Sequence, residues 1–250
     1  ERGGEGMGVS ALSPTMQEFL KRAERIAPLP DPVLIVGEVG VGKEHLARWI
    51  HERSSVAKGP FLRFDCTGAS ADLLVEKFLV LNGGREGWIR ERGTLFLHQL
   101  EELAPEAQKA LGYYLEQDPD SRNSHRIIAS ASPLIFQRRD RGMFQKALFY
   151  RLSVHLFEVP PLRMRPEDIP ALVRHFLNQI DPQLRLEPAL LEMFQQYSWP
   201  GNLLELRNLL QQMALNAEEP VLRARDLPEW FLRYLEPRSS EDSSLRERSF

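Results

Sequence analysis

The sequence predicts an α/β fold, a parallel sheet followed by a smaller helical part. Three observations carry that expectation. A four-residue apolar run, VLIV from residue 33, passes through a glycine-rich turn directly into a helical pattern. Further short apolar runs alternate with helical stretches up to about residue 160, the pattern of strands joined by crossover helices. From about residue 169 the apolar spacing is helical throughout.

Taken in order, the opening ERGGEGMG is glycine-rich and expected to be flexible. After Ser13 and Pro14, Met16, Phe19, Leu20, Ala23, Ile26 and Ala27 recur at helical spacing. VLIVG reads as a buried strand, GEVGVGKE as a tight turn and HLARWIHERS as a helix. FLRFDC, GTLFLHQ and HRIIASAS are further short strands. The character changes at PPLRMRPEDIP, after which ALVRHFLNQI, PALLEMFQQYS and NLLELRNLLQQMALN read as helices, with a short one around LPEWFLRYL. The tail EPRSSEDSSLRERSF is rich in Ser and charge and reads as a linker. The expected organisation is a flexible segment over 1–9, an α/β part over 10–168, a helical part over 169–235 and a tail over 236–250.

Composition narrows the function classes. The 250 residues carry 32 Lys and Arg against 35 Asp and Glu, a net charge of −3, and a pI near 6.1 argues against a free-standing electrostatic nucleic-acid binder. No apolar run approaches the roughly 20 residues of a membrane helix. A single cysteine, Cys66, excludes an intrachain disulfide and a cysteine-rich metal site, and favours a reducing, cytoplasmic setting. Cys66 ends an apolar strand and reads as a buried small hydrophobe. The chain opens at Glu1 with no signal-peptide pattern and is expected to be a piece of something longer.

Residues 37–44 form the strand–GxxxxGK–helix arrangement of a P-loop. Gly37, Gly40 and Gly42 let the backbone turn tightly, so that N–H groups along Glu38 and Val41 converge on phosphate oxygens at a helix N-terminus. Lys43 would meet the β- and γ-phosphates. The hydroxyl that normally follows the lysine and holds Mg²⁺ is replaced by Glu44. The plainer alternative is that the glycines only make a strand-to-helix turn.

Further along, the residues resemble a family. GEVGVGKE-HLAR is similar to the GESGTGKE-LVAR loop of bacterial enhancer-binding proteins, the sigma-54-dependent AAA+ transcription regulators. SALSPTMQ, GPFLRFDC, GTLFLHQL, HRIIASAS, FQKALFYRLSV, PPLRMRPEDIP and SWPGNLLELRN resemble further family motifs in the family's order. The resemblance runs from about Ser10 to about Leu235. It implies an AAA+ P-loop NTPase fold, ATP or ADP as cofactor, self-association through the AAA+ module, and DNA binding by a helix-turn-helix domain outside this chain.

The departures from the family pattern are as informative. Where the family has the Walker B Asp-Glu pair, this chain has His98 and Gln99. An imidazole does not replace carboxylate charge around a hard cation, and Gln99 cannot take a proton from water; a missing general base costs about 10²–10⁴ in rate. The first trans-acting arginine becomes Gln145, while the second is retained as Arg151. The lid arginine that touches the γ-phosphate becomes Leu204, and the polar sensor after the fourth strand becomes Ser132. No catalytic set is intact, so the expectation is a pseudo-ATPase for which Mg²⁺ is weak or dispensable. Between EKFL (76–79) and GTLFL the family has an insertion carrying GAFTGA; this chain has VLNGGREGWIRER, with Gly83-Gly84 as a turn, which makes contact with sigma-54 unlikely. Two alternatives stay open: a slow genuine ATPase using Gln99 and a neighbour's arginine, or a domain sensing a cyclic dinucleotide.

Three other features read as structural. The cluster Arg138-Arg139-Asp140-Arg141 is expected to be a solvated face. Glu101-Glu102 reads as a charged helix start, and His98 as a relaxed former active-site position without a second metal ligand nearby. Trp199 and Pro200 pack the lid in the family.

Overall fold

The computed structural model describes residues 13–74, 92–117 and 125–235. The glycine-rich opening, the segment that stands where the family carries GAFTGA, with Gly83-Gly84, and the Ser-rich tail lie outside the described residues.

The first helix, α1 (Pro14–Ile26), begins where the sequence places it. Ser13 Oγ accepts from the Met16 N–H at 3.3 Å, and Pro14 takes the first helical position, where its missing N–H matters least. Then come β1 (Val33–Val36), α2 (Lys43–Glu52), β2 (Phe61–Asp65), the one-turn α3 (Ala71–Leu74), β3 (Thr94–His98), α4 (Pro105–Gln117) and β4 (Arg126–Ala131). Two short helices, α5 (Leu134–Asp140) and α6 (Lys146–Leu152), lead to β5 (His155–Glu158).

These strands form one parallel sheet in the order β2-β3-β4-β1-β5. β1 and β4 are buried along their whole length, as strands covered on both faces must be. Alternate side chains supply two cores. Leu34, Val36, Leu95, Leu97 and Ala129 meet Leu111 of α4, Ile135 of α5 and Leu148 of α6. Val33, Ile35, Phe96, Ile128 and Phe157 meet Ile26 of α1 and Leu46 and Ile50 of α2. The sheet has one strand more than the apolar runs predict: in β5 only Leu156 and Phe157 are apolar, too brief a run to separate from a loop.

A third core gathers Leu162 with residues of α7 (Ile169–Ile180), α8 (Pro188–Gln196), α9 (Asn202–Asn216) and α10 (Glu229–Leu235). Trp199 sits at its centre, fully buried and edge-on to Phe194, with its indole N–H donated to Phe194 O at 2.7 Å. This part is not wholly helical. β6 (Arg185–Leu186) and β7 (Val221–Leu222) pair in parallel, joining the ends of the α7–α8 and α9–α10 connections. Strands of two residues carry no period, which is why the spacing reads as helix alone. The first helix is tied to the chain before α7: the buried Asp168 carboxylate accepts from both the backbone N–H and the hydroxyl of Ser13.

Candidate phosphate site

The loop between β1 and α2 lies at the carboxyl ends of the strands, where open parallel sheets bind ligands. Gly40 and Gly42 have φ of +76° and +97°, the left-handed region that other residues enter with strain. Val41 between them is buried beneath the loop in the α1–α2 core. No side chain caps the start of α2, so the positive end of that helix faces the loop, with Glu44 in its first turn. Lys43 opens the helix, and its Nζ donates to Gly37 O at 2.6 Å and Glu38 O at 2.8 Å. Burial lowers the Lys43 pKa, and the carboxylates of Glu101 and Glu38 act against that shift. The ammonium is therefore held over the loop by two carbonyls and two negative charges.

The lid is seated on this loop. The Leu203 N–H donates to Gly40 O at 3.0 Å. Asn202, buried at φ +52°, donates through Nδ2 to Val39 O at 2.9 Å and accepts from the Leu162 N–H at 2.8 Å. Arg163 forks both nitrogens onto the Glu38 carboxylate at 2.8 and 2.6 Å, and that hydrogen bonding holds Glu38 below the usual carboxylate range. A Cβ on Gly40 would lie 2.1 Å from Gly201 O. Leu204 is 52% exposed and lines, with Val39, Gly201 and Trp230, a cleft of about 380 Å³ beside the loop. It offers no charge to a phosphate.

On the cation side the donor set does not fit Mg²⁺. His98 Nδ1 lies 3.1 Å from Ser130 Oγ, and burial lowers its pKa, so it offers a neutral nitrogen where a hard cation needs oxygen. Gln99 is strained at φ +56°, and its amide oxygen accepts the Thr67 hydroxyl at 2.7 Å. Glu44 is paired with Arg48 at 2.9 Å and Arg63 at 3.3 Å. Among the described residues no three His, Cys, Asp or Glu side chains cluster as a metal site.

Of the remaining positions singled out by sequence, Ser132 lies beside the loop, because the Gly37 N–H donates to Ala131 O at 3.1 Å. Gln145 instead starts α6, where its N–H donates to Gln108 Oε1, and Arg151 on the same helix pairs with Glu116 at 3.0 Å. Neither is brought to this chain's own loop by any contact among the described residues. Burial pushes the Cys66 thiol up, in line with a small buried hydrophobe.

Two sequence expectations need correction. Glu101-Glu102 does lie in the first turn of a short helix, the 3-10 turn Leu100–Glu102 after β3, but Glu101 is only 5% exposed, its Oε1 accepting from the Ser132 N–H at 2.8 Å. Nor is the arginine cluster simply a solvated face. Arg138 donates to the Glu101 carbonyl and to Glu102 Oε1, pinning that turn. Glu101 is the site residue that sequence reasoning passes over. Its only signal was an acid between Leu100 and Leu103, which fits a solvated turn equally well.

Comparison with known proteins agrees with this geometry. The family model described as the sigma-54 interaction domain matches residues 9–158, and that of the AAA+ ATPase lid domain matches 163–244. The sigma-54-dependent transcriptional activator SfnR of Pseudomonas putida is 34% identical over 238 residues, covering 86% of this chain and 65% of that protein. The DNA-binding transcriptional regulator NtrC of Rhizobium meliloti is 31% identical over 242 residues, covering 88% and 50%. Among solved structures, NtrX from Brucella abortus in complex with ATP aligns with a TM-score of 0.78 at 29% identity, over 97% of this chain and 61% of that one. The chain thus spans roughly half to two thirds of the length of these relatives.

Proposed function

The chain belongs to the sigma-54 interaction domain family, with the AAA+ fold and its lid, and from that premise we propose that it is the central domain of a bacterial transcription regulator which binds a nucleotide but hydrolyses it poorly. In this reading residues 10–168 bind the nucleotide and 169–235 are the lid. One observation carries it. The phosphate loop is complete, with Lys43 poised over it, while both positions that would serve cation and water are engaged elsewhere, His98 with Ser130 and Gln99 with Thr67.

A bound nucleotide supplies the phosphate chain; the chain's own residues do the rest. The loop N–H groups and Lys43 take the β-phosphate, and the seated lid keeps the loop in its binding shape. Leu204 gives the lid nothing to gain from a γ-phosphate, so ADP is held at least as well as ATP and Mg²⁺ adds little. Arg151 lies on α6 as a group for a neighbouring copy's site, which fits self-association through the module. The short stretch where the family carries GAFTGA leaves no tool for sigma-54, so this regulator acts without remodelling that polymerase. DNA contact falls to a domain outside the chain. No helix among the described residues is long and apolar enough to cross a membrane, and the reading places the protein in the cytoplasm.

Calorimetric titration with ATP and ADP, with and without Mg²⁺, tests the binding half on wild type and Lys43→Ala. The expected result is binding of both nucleotides, weakened alike by the mutation. Steady-state phosphate release tests the other half: several turnovers per minute that vanish in Lys43→Ala would establish a working ATPase instead.

A further inference from the structure

Glu101 occupies an unusual position for an acid. It sits on the 3-10 turn that leaves β3, and its Oε1 is bound by the backbone N–H of Ser132, the residue just past β4. The next strand over is β1, joined to β4 where the Gly37 N–H meets Ala131 O, and the Lys43 ammonium rests on Gly37 O at 2.6 Å. Carboxylate, loop and ammonium thus follow one another across three adjacent strand ends.

The side chain is buried, and its second oxygen, Oε2, has no hydrogen-bond partner among the described residues; the neighbouring Ser132 Oγ is buried and unpartnered too. Arg138, whose guanidinium contacts the turn, binds the Glu101 carbonyl and the Glu102 carboxylate rather than the Glu101 carboxylate. A buried carboxylate in this state is costly unless something nearby uses its charge. The cation that feels it is Lys43, whose ammonium it stabilises against burial.

We propose that Glu101 is a specificity-determining residue that makes the loop selective for a nucleoside diphosphate over the triphosphate. The proposal rests on the nucleotide-binding reading above and deepens it. A lysine in this place spans the β- and γ-phosphates. The β-phosphate lies in the loop, where backbone N–H groups surround it. A third phosphate extends past Lys43 toward the ends of β3 and β4, and there it meets a fixed negative charge in a poorly solvated setting, where charges act strongly on each other. The Ser132 N–H that faces it is already given to Glu101. No carboxylate at 98 or 99 holds a cation to offset the repulsion. The second phosphate keeps its contacts, and the third is opposed.

Glu101→Gln removes the charge while keeping the shape and an acceptor for Ser132; Glu101→Ala also frees the Ser132 N–H. ADP and ATP are titrated calorimetrically into the 250-residue chain, wild type and both variants, without divalent cation and with Mg²⁺. Thermal melting reports that the variants are folded. Wild type is expected to prefer ADP over ATP by roughly tenfold. Glu101→Gln should tighten ATP relative to ADP by about that factor, and Glu101→Ala by at least as much. ATP affinity that does not move in either variant, or that weakens when Mg²⁺ is present, overturns the proposal, the latter by making Glu101 a support for a cation. Binding of both nucleotides without discrimination in all three proteins removes this role for Glu101 and leaves the nucleotide reading intact. Absence of binding in wild type, with no effect of Lys43→Ala, removes both.

Discussion

Arg163 grips Glu38 with both terminal guanidinium nitrogens, at 2.8 and 2.6 Å, and so fastens the chain just before the lid to the second residue of the glycine-rich loop. Asn202 completes the clamp from the other side, through Glu38 Oε2 at 3.3 Å and Val39 O at 2.9 Å. The loop owes its shape to residues 125 and 164 positions away along the chain.

The clamp should matter more for ligand than for fold. Both partners are partly exposed, so Arg163→Ala should lower stability by no more than about 1 kcal/mol. Nucleotide affinity should fall severalfold, because the loop must then be ordered by the ligand. Arg163→Lys should not rescue it, since an ammonium cannot make the two-point fork. Parallel melting and titration of the two variants check this.

Gly40→Ala and Gly42→Ala should separate strain from collision. Both force a Cβ into the left-handed region, at about 1–2 kcal/mol each. Only at Gly40 does that Cβ also strike backbone, 2.1 Å from Gly201 O, whereas at Gly42 the nearest contact is Leu203 Cδ1 at 3.5 Å. Gly40→Ala should therefore be the more destabilising in denaturant unfolding, and as the lid lifts it should change the fluorescence of Trp230, which lines the cleft beside Val39 of the loop.

Restoring carboxylates alone should not restore an ATPase. The double variant His98→Asp with Gln99→Glu returns acids to the end of β3, yet Leu204 and Gln145 still offer no charge to a γ-phosphate. Groups that act as a unit do not recover one at a time. Phosphate release should rise by less than about a hundredfold, the lower bound for a general base by itself.

Acid should weaken the fold from just below neutrality. His51 is buried, with Nδ1 2.8 Å from Thr94 Oγ1, and burial lowers its pKa from the ordinary value of 6.5. His98 is shifted the same way, again by burial. A base whose folded pKa is lowered takes up its proton first in the unfolded state, so its contribution is complete above about pH 6.5 and is lost as the pH falls below it. Glu38, lowered chiefly by Arg163, adds a second loss only in the carboxylate range. Urea unfolding between pH 8 and 5 should show the decline, and His51→Gln should flatten its upper part.

Much of the fold was legible because its signals are local. VLIV followed by GEVGVGK marks β1, the loop and α2, and Ser13-Pro14 marks the start of α1. Short or polar elements were not legible: β5, with two apolar residues, and β6 and β7, with two residues each, have too little chain for a period. At the site, the places of His98 and Gln99 could be read directly, because the GTLFL strand ends at them. The role of Glu101 could not, since the same Leu-Glu-Glu-Leu string describes a solvated turn or a buried one.

By itself, then, the sequence determined the α/β class, the glycine-rich turn from β1 into the helix that Lys43 opens, and the order of residue types along it, because these depend on neighbours within a few residues. Only the tertiary structure decided that Arg163 and Asn202 hold the loop, that Gln99 and His98 are engaged with Thr67 and Ser130, and that Glu101 is buried beside Ser132. Each of these joins residues more than 30 positions apart. Whether a side chain is solvated, paired or buried there is settled by which strand ends and helix starts pack together, and no local pattern in the chain encodes that.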